Sequence, residues 1–144
     1  MAEQRVTLLY DLSVQAGIAI VYAFGSRSRQ VLAWTRGELV TLPDSSSDVD
    51  IGVKALPGVA WSLDDKVEIT YAFCDWLGVP WVDLVVLEEA DPFLAANVIR
   101  GERLYADDEY LADEYDLYVL RRAGDLIPLE RERLDLILHR HYDT

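Results

Sequence analysis

Seven consecutive residues, Ile18-Ala19-Ile20-Val21-Tyr22-Ala23-Phe24, carry no charge and little polarity. β-Branched and aromatic side chains dominate the run, which is far short of the roughly 20 residues of a membrane span. Such a segment is predicted to be a strand buried on both faces. A strand of that kind needs layers above and below it, and the flanking sequence supplies helices for both. Residues 3–15 have helical spacing, with Val6, Leu9, Tyr10 and Val14 on the predicted inner face, and Gly17 ends the pattern. After the strand, Gly25-Ser26 turns the chain into a helix over Arg27 to Trp34, with Val31 and Trp34 facing inward.

The alternation continues. Gly37 to Ser47 reads as a loop, and Asp48 to Val53 alternates polar and apolar as a second strand. Pro57-Gly58 marks a turn. Ser62-Leu63-Asp64-Asp65 opens a helix whose stripe is Val67, Tyr71, Cys74 and Leu77, closed by Gly78 and Pro80. Trp81 to Leu87 is a third strand, Asp91-Pro92 opens a helix running to about Arg100, and Arg103 to Ala106 is a short edge strand. Two helices follow, over about 108–123 and 128–142, parted at Gly124 and Pro128. The order predicts an α/β fold with C-terminal helices. The 144 residues read as one domain, 1–144, with a core over about 15–105 and a helical segment over about 108–142.

Composition narrows the function. Thirteen basic and 26 acidic side chains leave a formal net charge of −13, which repels nucleic acid at long range, so direct nucleic-acid binding is not expected. A hydrophobic fraction of 51% supports a real core. The N-terminus lacks the layout of a signal peptide, and no apolar run is long enough to cross a bilayer. A soluble, cytoplasmic protein without membrane attachment is expected. Cys74 alone makes neither a disulfide framework nor a thiolate cluster. His139 and His141, two apart, do not share a helix face and are not read as a metal pair. Tyr110, Tyr115 and Tyr118, with Leu111, and the four tryptophans are read mainly as packing residues. The acidic run Asp107-Asp108-Glu109, with Asp113, Glu114 and Asp116, is read as a solvated face or a docking site for a basic partner.

Chemistry concentrates at two strand ends. Residues i and i+2 of a strand point the same way, so Asp48 and Asp50 place two carboxylates side by side. Like charges that close raise each other's pKa, and a hard divalent cation relieves the conflict. Asp83, in Val82-Asp83-Leu84-Val85-Val86, is costly in an apolar strand unless it is paired, hydrogen-bonded or metal-bound. Three such acids suit a two-metal site for phosphoryl or nucleotidyl transfer. Gly25-Ser26 supplies the complement, a glycine turn before a helix whose N–H groups and serine hydroxyl can meet phosphate oxygens. Arg27 and Arg29 are candidates for the terminal phosphate.

Phe24-Gly25-Ser26-Arg27-Ser28-Arg29, Asp44 to Val53 with Asp48-Val49-Asp50, and Val82 to Leu87 with Asp83 resemble the minimal nucleotidyltransferases (MNT) of the DNA polymerase β-like superfamily. The likeness is greatest to the MNT antitoxins paired with HEPN toxins. The resemblance implies a small mixed sheet flanked by helices, two Mg²⁺ ions, ATP as donor, and AMP transfer to a tyrosine of the cognate HEPN ribonuclease toxin. It implies an antitoxin of a type VII-like pair, with Gly25 and Ser26 at the triphosphate, Asp48 and Asp50 on metal, and Asp83 as third ligand or general base. It also implies a much shorter connection than the 21 residues from Arg27 to Ser47. Two other functions compete: an antitoxin that acts by binding alone, and a nucleotidyltransferase for a small hydroxylated molecule.

Overall fold

The computed structural model describes residues 1–142. The chain runs α1 (Ala2–Ala16), β1 (Ile18–Phe24), α2 (Ser28–Thr35), β2 (Val49–Ala55), α3 (Leu63–Leu77), β3 (Val82–Val86), a 3-10 turn (Leu87–Glu89), α4 (Pro92–Ile99), β4 (Glu102–Ala106) and α5 (Glu109–Tyr142). The four strands form one mixed sheet in the order β3-β2-β1-β4. β1 is antiparallel to both β2 and β4, whereas β2 and β3 are parallel. All seven β1 residues are buried, as expected of an inner strand covered on both faces.

Alternation along the strands divides the core in two. Val21, Ala23, Val49, Ile51, Val53 and Val82 pack with Leu9, Val31, Trp34 and Phe73 of α1, α2 and α3. Ile20, Tyr22 and Phe24 pack on the other face with Ala95 and Val98 of α4 and Ala112 and Val119 of α5. Gly52 allows α4 to lie against the sheet, since a Cβ there would stand 2.3 Å from Val98 Cγ1. Helix starts follow their sequence signals. Ser62 and Asp65 form a reciprocal capping box on α3, and Asp91 caps α4 ahead of Pro92.

Two predicted helix faces are displaced. In α1, Val6, Tyr10 and Val14 are exposed, and the inner face is Leu9 and Ser13, with Leu12 and Ala16 packed beside them. In α3, Val67 and Tyr71 are exposed, and Ile69, Thr70, Phe73, Cys74 and Leu77 are buried. In α1 the small polar Ser13 takes an inner position that a pattern built on large apolar residues passes over, and in α3 a second apolar stripe through Ile69, Phe73 and Leu77 is the one that is buried. The predicted pair of C-terminal helices is one continuous helix, α5. Pro128 cannot donate to the carbonyl of Gly124, four residues back, but Gly124 is exposed where water is at hand. The side chains of His139 and His141 lie outside the described residues.

The acidic run at the start of α5 is more than a solvated face. Arg103 of β4 donates to Glu109 and Asp113, each at 2.9 Å, and to Asp116 at 2.7 Å. The buried Tyr22 hydroxyl also donates to Asp116. Burial, then the Asp116 hydrogen bond, pushes the Tyr22 phenol far up. Burial works against the Arg103 charge, but its three carboxylate partners outweigh that and raise its pKa. The network ties β1 and β4 to α5. Among the described residues, no helix is long and apolar enough to cross a membrane.

Candidate active site

Asp50 sits second in β2, opposite Phe24 on one side and Asp83 on the other. Residues in register share a face, so the Asp50 and Asp83 carboxylates lie on the α4 face at the same end of the sheet. Asp48 is one residue short of the predicted strand: β2 begins at Val49, and Asp48 is exposed on the loop before it. Burial, then Asp83, then Asp48 raise the Asp50 pKa above the ordinary carboxylate value. The negative potential of both other acids is therefore felt at Asp50. Among the described residues no group of three His, Cys, Asp or Glu side chains is drawn close enough to hold a metal ion. Asp48 and Asp50 nevertheless fit a hard cation by donor type, and the raised Asp50 pKa marks the repulsion that such a cation would relieve.

Gly25 lies directly against this carboxylate. Its φ is +77°, and a Cβ placed on it would stand 2.3 Å from Asp50 Oδ2. The turn that precedes α2 and the acid of β2 are thus one unit, and the glycine is required twice over, by conformation and by contact. Ser26 follows on the exposed turn. Arg29, also exposed, lies in the first turn of α2.

Arg27, the other candidate for the terminal phosphate, has a structural task. Only 7% exposed, it donates from Nη2 to the Pro43 carbonyl at 2.5 Å, from Nη1 to the Ser47 carbonyl at 3.2 Å and from Nε to Gln30 at 3.2 Å. It holds the long α2–β2 connection with three of its five N–H donors. Arg5 of α1 holds the other end, donating to the carbonyls of Trp34 at 2.5 Å, Leu39 at 2.7 Å and Val40 at 2.7 Å. Its guanidinium also lies over the Trp34 ring, 4.2 Å from the centroid.

Asp83 is likewise not the buried acid that its apolar neighbours imply. β3 is an edge strand and Asp83 is exposed, so the cost of desolvation does not arise. Its partner is Trp81, whose indole Nε1 donates to Asp83 Oδ1 at 3.1 Å. Sequence reasoning placed Trp81 among the packing residues. The signal was present in the spacing, because residues 81 and 83 of an extended segment project to the same side. A groove of about 980 Å³ lies elsewhere, between α1 and α3, and none of these residues lines it.

The chain is thus a mixed four-stranded sheet between two helical layers, with a glycine turn and acidic residues at one end. Solved complexes give that fold a particular counterpart. The chain superposes with a TM-score of 0.66 and 18% identity on a structure of tri-AMPylated Shewanella oneidensis HEPN toxin in complex with MNT antitoxin, covering 96% of this chain and 99% of that one. It matches a toxin–antitoxin structure with AMP-PNP at a TM-score of 0.67 and 18% identity, over 92% and 98% of the two chains. A structure of the toxin–antitoxin MntA-HepT matches at 0.65 and 16% identity, over 94% and 98%. The fold is therefore that of the MntA antitoxin of these pairs. No protein-family model matches the sequence, and neither does any curated protein.

Proposed function

We propose that this protein is the antitoxin of a HEPN/MNT pair and acts as an Mg²⁺-dependent adenylyltransferase, moving AMP from ATP to a tyrosine of its HEPN ribonuclease toxin. The observation that carries the reading is the contact of Gly25 with Asp50, in register with Asp83. It joins a phosphate-type turn to an acidic pair at one strand end. The fold shared with an MNT antitoxin solved beside a tri-AMPylated toxin supports the same reading.

In this mechanism the Gly25-Ser26 turn binds the triphosphate through backbone N–H groups and the serine hydroxyl, and Arg29 reaches the terminal phosphate. Asp48 and Asp50 would hold Mg²⁺, which when bound supplies charge neutralisation at the phosphate oxygens, and Asp83 is left as the general base. The phenolic oxygen of the acceptor tyrosine bonds to the α-phosphorus as the bond from that phosphorus to the pyrophosphate oxygen breaks. Pyrophosphate leaves with the bonding pair, and the phenolic proton passes to Asp83 and on to water. Ser26→Ala is expected to weaken ATP use by about 1.5–3 kcal/mol, as for one charge-assisted hydrogen bond. Equal kcat/KM for ATP in mutant and parent would reduce the turn to a structural feature.

Catalysis and masking are separated by stoichiometry. A trace of the protein with Mg²⁺ and ATP is expected to inactivate an excess of toxin, which stays inactive after separation and gains mass in AMP units on tyrosine. An acidic antitoxin that only covers its toxin inhibits at equal stoichiometry, is sensitive to salt and adds no mass. That result would replace the transferase with a binding module.

A further inference from the structure

The sheet end has an order that constrains the acceptor. Gly25-Ser26 follows β1, Asp50 lies on β2, and Asp83 lies on β3, the outermost strand on that side. In an in-line transfer the attacking and leaving oxygens are on opposite sides of phosphorus. With the leaving pyrophosphate on the β1 side, the attacking oxygen must come from the β3 side, across the free edge of the sheet.

That edge is unusually aromatic for an exposed surface. Trp81 is 46% exposed, Tyr71 of α3 is 57% exposed, and Val67 is 45% exposed. Trp81 and Tyr71 meet edge to face, with centroids 6.5 Å apart and planes at 83°. Together with Asp83 they border a cleft of about 340 Å³ at the β3 edge, which Leu84 and the Lys66–Glu89 ion pair bound on the α3 side. An exposed carboxylate would otherwise rotate freely. The Trp81 indole fixes Asp83 through Oδ1 and leaves Oδ2 for the incoming group, and Tyr71 in turn holds the indole.

We propose that Trp81 is the positioning residue for Asp83 and that Trp81 and Tyr71 form the acceptor subsite, where the tyrosine of the toxin docks. This assignment rests on the adenylyl-transfer reading and adds to it the side from which the acceptor arrives. Large apolar side chains suit a phenol ring better than a sugar or a polyamine, and the fixed carboxylate stands where the phenolic proton departs.

The test is steady-state AMP transfer to the purified HEPN toxin, with toxin and ATP varied separately. Trp81→Phe keeps a ring and removes the indole N–H, and is expected to lower kcat about tenfold, the effect of one hydrogen bond. Trp81→His restores a donor and should recover part of that loss. Tyr71→Ala should raise KM for the toxin about tenfold with kcat retained. KM for ATP should stay at the parent value in all three variants. Parent-like kcat in Trp81→Phe together with parent-like toxin KM in Tyr71→Ala would overturn the subsite, as would a rise in the KM for ATP alone. Absence of transfer by the parent protein would instead overturn the adenylyl-transfer reading, and this assignment with it.

Discussion

Replacing Asp48 and Asp50 together by asparagine is expected to reduce AMP transfer by more than about a thousandfold, the scale of losing a metal's charge stabilisation. The fold should survive, and the reason is electrostatic. The raised pKa of Asp50 means that its charged form is disfavoured in the folded state, by burial first and by Asp83 and Asp48 next. That destabilisation is absent well below the ordinary value of 3.8 and is present in full once the pH exceeds the raised value. The double variant should therefore melt no lower than the parent near neutral pH, and any advantage it has should vanish in acid. Mg²⁺ should raise the melting temperature of the parent and leave the variant unchanged. Transfer at the parental rate by the double variant would eliminate the acidic pair from the chemistry.

Gly25→Ala is expected to be nearly as damaging, by another route. A non-glycine residue at φ +77° costs about 1–2 kcal/mol in the backbone alone. The added methyl would also stand 2.3 Å from Asp50 Oδ2, so the carboxylate or the turn must move. Because phosphate-binding turn and acidic pair are displaced together, transfer should fall at least about a hundredfold, the result of a misplacement on the order of 1 Å. Thermal melting and transfer to the toxin, measured on the same preparation, check both parts. A variant with parental activity would show that turn and acid are not coupled.

How much was legible in the sequence depended on whether a local pattern or a distant neighbour sets the residue's environment. β1 was legible because seven apolar residues leave no face for water, and its burial is complete. The starts of α3 and α4 were legible because Ser62, Asp65, Asp91 and Pro92 act within one turn. Asp50 and Asp83 were legible as strand residues, but their register is set by the assembled sheet. Asp83 was misread as buried, since Val and Leu on either side cannot reveal that β3 lies at an edge. The hold of Arg27 on Pro43 and Ser47 was not legible, because those acceptors are supplied by a loop 16 and 20 residues away. The inner faces of α1 and α3 failed for a related reason: Ser13 and Thr70 are buried by what packs on them.

The α2–β2 connection ends at Asp48, and its course is set by two arginines from outside it. Arg5 takes three carbonyls near its beginning and Arg27 two near its end. Loop and arginines therefore form one inseparable cassette. Trimming the connection would leave Arg27 an interior cation with Gln30 as its one remaining acceptor of the three named, a far larger penalty than closing a long loop ever imposes. A graft of this segment into a relative with a shorter connection would need both arginines to travel with it. Because the carbonyls are already fastened, the backbone leading to Asp48 is ordered before any ion arrives, and less freedom remains to be lost on binding.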